Sequence, residues 1–155
     1  MNLAAMQRRL AARLVGHDQA TIPGIPDARL TLASELLIRK RLGEVAPLLP
    51  RCRQALGPRF GELFRQFVRD HRPHGRDKPA NDAIAFAAMI AAERTLPRRV
   101  RNLADYELAW NRAQQAAALV IAVRCPHLTD ERPFVALWWR WHRRGALHHL
   151  RLPCG

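Results

Sequence analysis

The 155-residue sequence predicts an α+β fold: an N-terminal bundle of about five helices over residues 1–116, then a three-stranded antiparallel β-meander over residues 117–155, packed as one compact unit. Three observations lead there. Apolar residues recur at helical spacing up to about residue 115 and give way after it to short β-branched and alternating runs. Gly, Pro and Asn punctuate the periodic stretches at intervals that suit short connections. The apolar fraction is 48%, enough for one core in a chain with little room for two domains.

Taken in order, Asn2 is placed to cap a first helix with Leu3, Met6, Leu10 and Leu14 on one face and Gly16 as its stop. Residues 17–26 hold Pro23, Gly24 and Pro26 and read as a loop. Asp27 then caps a second helix expected to bury Leu32, Leu36 and Leu37. Gly43 and Pro47 weaken or kink it, and Pro50 ends it or starts a new turn. Gly57-Pro58 is a stop followed by a start, since proline suits the first helical position. The helix it opens carries Phe60, Leu63, Phe64, Phe67 and Val68, the spacing of a face turned to a core. After a polar loop over 71–80, Asn81 is expected to cap a helix burying Ile84, Phe86, Ala87 and Ile90. Asn102 and Asp105 resemble a capping box with the shorter acid, opening a last helix with Leu103, Tyr106, Trp110 and Ala113 on its apolar face.

The strands follow. Leu119 to Val123 is short and β-branched. In Phe134 to Trp141, Phe134, Ala136, Trp138 and Arg140 share one face and Val135, Leu137, Trp139 and Trp141 the other. Arg143-Arg144-Gly145 is a turn, and Leu147 to Leu152 a third strand.

The charge balance narrows the function. There are 26 basic against 13 acidic residues, a net +13, and Lys40 and Lys78 are the only lysines. A GC-rich genome accounts for arginine over lysine but not for the excess of cations, which draws acidic partners. The excess is spread along the chain, so any partner surface must be assembled by folding. Cys52, Cys125 and Cys154 are too few and too scattered for a disulfide framework. No signal pattern or apolar run of membrane-spanning length occurs, so a cytoplasmic location is expected.

No phosphate-binding glycine loop, nucleophile elbow or zincin helix is present. Cys125, His127, His148, His149 and Cys154 lack the paired spacing of a zinc site and read as neutral strand and turn residues. His71 and His74 read as solvated loop residues. Asp105 and Glu107, two apart on a helix, do not face each other, and capping or ion pairing suits Glu107 better than catalysis. The chain is therefore expected to be no enzyme, to use no cofactor or metal, and to bind. The first candidate surface is the tryptophan-rich strand: Trp138, Trp139, Arg140, Trp141, Arg143 and Arg144 combine flat rings with guanidinium groups. It suits bases and phosphates, or an extended acidic peptide added to a sheet edge. Burial of alternate tryptophans against the helices is the competing reading. The second candidate is a basic patch of Arg39, Lys40, Arg41, Arg51 and Arg53, against which stands an ordinary solvated helix face.

One series of residues carries a family resemblance. Leu36-Leu37-Ile38-Arg39-Lys40-Arg41, Leu49-Pro50, Leu56-Gly57, Phe60 to Phe67, Asp82-Ala83-Ile84-Ala85-Phe86 and Leu103-Ala104-Asp105-Tyr106-Glu107-Leu108-Ala109-Trp110 follow at recognisable spacing. This resembles the partner subunits of multinuclear iron-dependent oxidases, the family of the methanobactin partner protein, some of whose members are labelled as DNA-binding domains. The resemblance covers roughly half the chain, with Asp82, Phe86, Glu107 and Trp110 as the family-like positions. It implies a bacterial accessory protein whose helical region, 1–116, docks on an oxidase barrel. The sheet, 117–155, would hold the leader of a ribosomally made precursor peptide, and the iron would belong to the oxidase. A DNA-binding regulator using the basic surface is the alternative.

Overall fold

A computed structural model describes residues 3–14, 24–72, 75–116, 119–125, 134–141 and 145–153. It is mostly helical. Helix α1 spans Leu3–Leu14, and α2 spans Asp27–Val45 and tightens into a 3₁₀ turn over Ala46–Leu48. Then come α3 (Pro50–Leu56), α4 (Pro58–Asp70), α5 (Lys78–Ala92) and α6 (Arg98–Gln115). Strands β1 (Leu119–Cys125), β2 (Phe134–Arg140) and β3 (His148–Pro153) form an antiparallel sheet in the order β1-β2-β3. Helices followed by an antiparallel sheet is thus the observed order. The described residues form six helices where about five were expected, because Pro50 opens a helix of its own. Proline at a first turn gives up an N–H that has no partner there anyway, and Pro50 and Pro58 both use that position. Between α3 and α4 the chain turns at Gly57 with φ 54°, a conformation that costs a glycine little.

The core is built where α4, α5 and α6 meet. Phe60 and Phe64 of α4 set their rings edge-on to Phe86 of α5, with centroids 5.2 and 5.1 Å apart. One face of β2 closes the core from the other side. Phe134, Ala136 and Trp138 are buried, as the alternation predicts. Trp138 meets Tyr106 of α6 edge-on at 5.1 Å.

Several local expectations are corrected. Leu32, Leu36 and Leu37 are exposed, at 58, 54 and 40%. Helix α2 instead buries Leu30 and Val45 and leans on the core with Ile38 and Leu42. Leucines occupy both sides of this helix, so period alone did not select the buried one. Helix α5 begins three residues before Asn81, capped by Asp77, whose carboxylate accepts from the Ala80 N–H at 3.3 Å. Asn102 lies inside α6, which starts after Pro97. Asp27 is the first residue of α2 and Pro26 holds the cap position. His71 is no solvated loop residue: its ring stacks on Phe67 at 4.5 Å, and its Nε2 lies 3.4 Å from Asp82. Asn2, Gly16, His74 and the Arg143-Arg144 turn lie outside the described residues. Among the described residues, no helix is long and apolar enough to cross a membrane.

Candidate functional site

The site begins with a helix that lacks a cap. Leu49 precedes α3 and has no side-chain acceptor, so the N–H groups of Arg51 and Cys52 need one. Glu107 of α6 supplies it: its carboxylate accepts from Arg51 N at 2.7 Å and Cys52 N at 3.0 Å. One turn further along α6, the Asn111 amide donates to the Leu48 carbonyl at 3.0 Å and to the Glu107 carbonyl at 2.8 Å. Helix α6 is thereby bonded to the turn entering α3. Burial pushes the Glu107 carboxyl above its ordinary range. The Cys52 thiol, the two backbone N–H groups and the Arg51 charge oppose that shift. Burial, the Glu107 charge and the hydrogen bond to Glu107 push the Cys52 thiol up, which leaves it inert.

With its backbone held this way, Arg51 places its guanidinium 5.1 Å from the centre of the Tyr106 ring. Arg151 of β3 approaches the same ring at 5.9 Å and sets its Nη2 3.4 Å from the Tyr106 hydroxyl. The β2–β3 register pairs Trp138 with His149 and Ala136 with Arg151. The sheet face that buries Trp138 therefore also carries His149 and Arg151. His149 lies flat on the Trp138 ring, 5.2 Å between centroids and 11° between planes. Its proton affinity is lowered by burial first, then by the charges of Arg151 and Arg51.

These groups line a cleft of about 890 Å³. Pro47, Leu48, Pro50 and Arg51 form one wall; Asp77, the cap of α5, with Ala80 and Asn81 of α5 forms the end; Tyr106, Glu107, Trp110, Asn111, Gln114 and Gln115 of α6 form the floor. Arg140, His149 and Arg151 of the sheet close it. Arg140 is occupied at the rim, donating to the carbonyls of Ala113 at 3.4 Å and Gln114 at 3.1 Å in the last turn of α6, where a cation is favoured. Ion pairs among the described residues include Arg13–Asp27, Lys40–Glu44, Arg41–Asp82 and His71–Asp82. None engages Arg51 or Arg151.

The family model of the SCO6045-like C-terminal domain matches residues 4–92, more than half of the chain. The chain belongs to that family. The SCO6045-like segment runs from α1 to the end of α5 and supplies Arg51 and Asn81 to the cleft. Tyr106, Glu107, His149 and Arg151 come after it. No curated protein and no solved structure matches the chain.

Set on this SCO6045-like framework, the residues expected from sequence scatter. Trp138 is fully buried, Trp139 is half-buried and stacked on His148, and Trp141 is 79% exposed. Arg140 is tied to α6, and Arg143 and Arg144 lie outside the described residues. The second basic group divides as well. Arg39, Lys40 and Arg53 are exposed, Arg41 donates to the buried Asp82 at 2.9 Å, and Arg51 faces the cleft. Of the family-like positions, Asp82 and Phe86 sit in the core, Glu107 caps α3, and Trp110 lines the cleft. The described residues contain no group of three or more His, Cys, Asp or Glu that could hold a metal, and His127 and Cys154 lie outside them. Tyr106, Asn111, His149 and Arg151 are cleft residues that sequence reasoning did not select for function. The alternation of His149 and Arg151 was a signal. The register that turns them toward Tyr106 was not readable without the length of the β2–β3 connection.

Proposed function

We propose that this chain is a binding protein with no chemistry of its own, which holds an extended acidic peptide along β3 with side chains in the adjoining cleft. One observation carries the reading. Two guanidinium groups that make no ion pair with any described residue converge, beside His149, on an aromatic-floored recess next to the outer strand of the sheet. Among the described residues β3 pairs with β2 on one side only, so its other row of backbone groups suits another strand. Trp139 and Trp141, with Arg143 and Arg144 next to them in sequence, would extend the contact beyond the cleft.

The resemblance seen in the helical half makes the reading more specific. The chain would be an accessory subunit of a multinuclear iron-dependent oxidase, and the peptide would be the leader of a ribosomally synthesised precursor. The iron would stay with the oxidase, and residues 1–116 would dock on it. Calorimetric titration with the leader encoded beside the gene, and co-purification with the neighbouring oxidase, test this. Binding of both is expected; affinity for neither overturns the reading. A DNA-binding regulator is the second reading, favoured by the net charge of +13 and the exposed Arg39, Lys40 and Arg53. If it held, duplex binding through ~6 phosphates would fall with salt at a log–log slope of roughly −5.

A further inference from the structure

We infer that Arg51, Arg151 and His149 form a seat for one carboxylate beside the Tyr106 ring, the place where the bound peptide presents a single Asp or Glu. The inference rests on the peptide-binding reading and adds to it which side chain of the ligand is read. Three like-charged or chargeable groups from two elements, α3 and β3, are gathered around one buried tyrosine. Glu107, an acid of the same cleft, is turned to the amides of Arg51 and Cys52, and among the described residues it accepts nothing from either guanidinium head. Cations crowded in a recess repel one another more strongly than in open water. An anion entering between them relieves that repulsion and takes charge-assisted hydrogen bonds from the guanidinium forks.

The walls select the kind of anion. Glu107 and Asp77 line the same recess and oppose a doubly charged group, and Tyr106 and Trp110 offer apolar surface to the stem of a side chain. The recess is concave, whereas duplex phosphates lie on a convex rod. A carboxylate on a short stem, carried by a strand lying along β3, fits these walls.

Occupation also moves a proton. The charges acting on His149 are Arg151 on its own strand and Arg51 on α3, both positive. The faces packed on it from α6 and β2 are the neutral rings of Tyr106, Trp110 and Trp138, and Arg140, Glu107 and Asp77 complete the charged lining of the cleft. A bound carboxylate favours charged His149, so affinity rises as pH falls from 7.5 to 6.

The test uses the full chain and two blocked pentapeptides, acetyl-Thr-Val-Glu-Val-Thr-amide and its Gln counterpart, followed by NMR at the arginine Nε–H and the β3 amides. The Glu peptide is expected to shift the Arg51 and Arg151 signals and to bind roughly ten-fold more tightly. Arg51→Gln and Arg151→Gln should each abolish that preference, with Arg151→Lys retaining part of it. His149→Gln should abolish the pH dependence alone. Equal affinity for the two peptides, with β3 amides still shifting, overturns the seat and leaves the peptide reading standing. Sodium butyrate, a single carboxylate on a short stem, and inorganic phosphate serve as strand-free probes. If neither peptide shifts β3 but butyrate still moves both arginines, the seat stands and the strand reading falls. If phosphate moves them and butyrate does not, the carboxylate assignment is overturned.

Discussion

Glu107 lies 56 positions from Arg51, yet its carboxylate completes the start of α3. Glu107→Ala leaves the amides of Arg51 and Cys52 without an acceptor. At roughly 1–3 kcal/mol for each unsatisfied buried group, urea unfolding should show a loss of about 3 kcal/mol. Glu107→Gln keeps one acceptor oxygen and should lose about 1 kcal/mol. The acid also leaves a mark on the pH profile. Its folded value is raised above the ordinary 4.5, so the carboxyl holds its proton more firmly in the folded chain. The part of the stability that depends on this proton is fully present below pH 4.5 and is lost as pH rises through the folded value, while the two hydrogen bonds to the α3 amides remain. Unfolding free energies measured across that window should fall less steeply in Glu107→Gln; identical slopes would contradict the assignment. The sequence suggested capping or pairing for Glu107 because Asp105, two positions away on a helix, does not face it and so makes no acid–base pair with it. It could not name α3 as the helix capped, because periodicity relates residues three and four apart and this contact joins two distant segments. The same distance hid the approach of Arg51 and Arg151 to one Tyr106 ring.

Among the elements, α4 was the most legible and α2 the least. The phenylalanines of α4 mark one stripe and leave the other side polar, so the buried face follows. In α2 the leucines are distributed around the helix, and the contacts of Ile38, Leu42 and Val45 decide the matter. Leu32→Ser and Leu36→Ser should therefore stay within about 0.5 kcal/mol of the parent in urea unfolding. Leu30→Ala, from the buried side of the same helix, should lose roughly 2–5 kcal/mol. A large loss at Leu32 would mean that this face is covered after all. Caps were less legible than faces. Asp77 and Asn81 are both capping residue types with proline close by, and the choice depends on where the preceding loop delivers the chain.

For the whole molecule, the order of helices and then sheet was legible because periodicity changes abruptly near residue 116. How the sheet seats itself on α6 was not, since either face of β2 is bulky enough to be the inner one. Trp138 settles it. It is fully buried and packs against Tyr106, Trp110 and His149, joining the sheet to a helix outside the family-matched segment. Trp138→Ala should cost roughly 3–5 kcal/mol by thermal or urea unfolding; a loss below 1 kcal/mol would show the sheet contributing little to the fold. The bond from Glu107 to α3 has a consequence in time as well as in energy. α3 is only seven residues long, and a helix that short does not persist in water by itself. The amide hydrogens of Arg51 and Cys52 then exchange with solvent when α6 lifts from α3. Their exchange rates count the openings of the cleft floor, separately from the slower events that unfold the phenylalanine core.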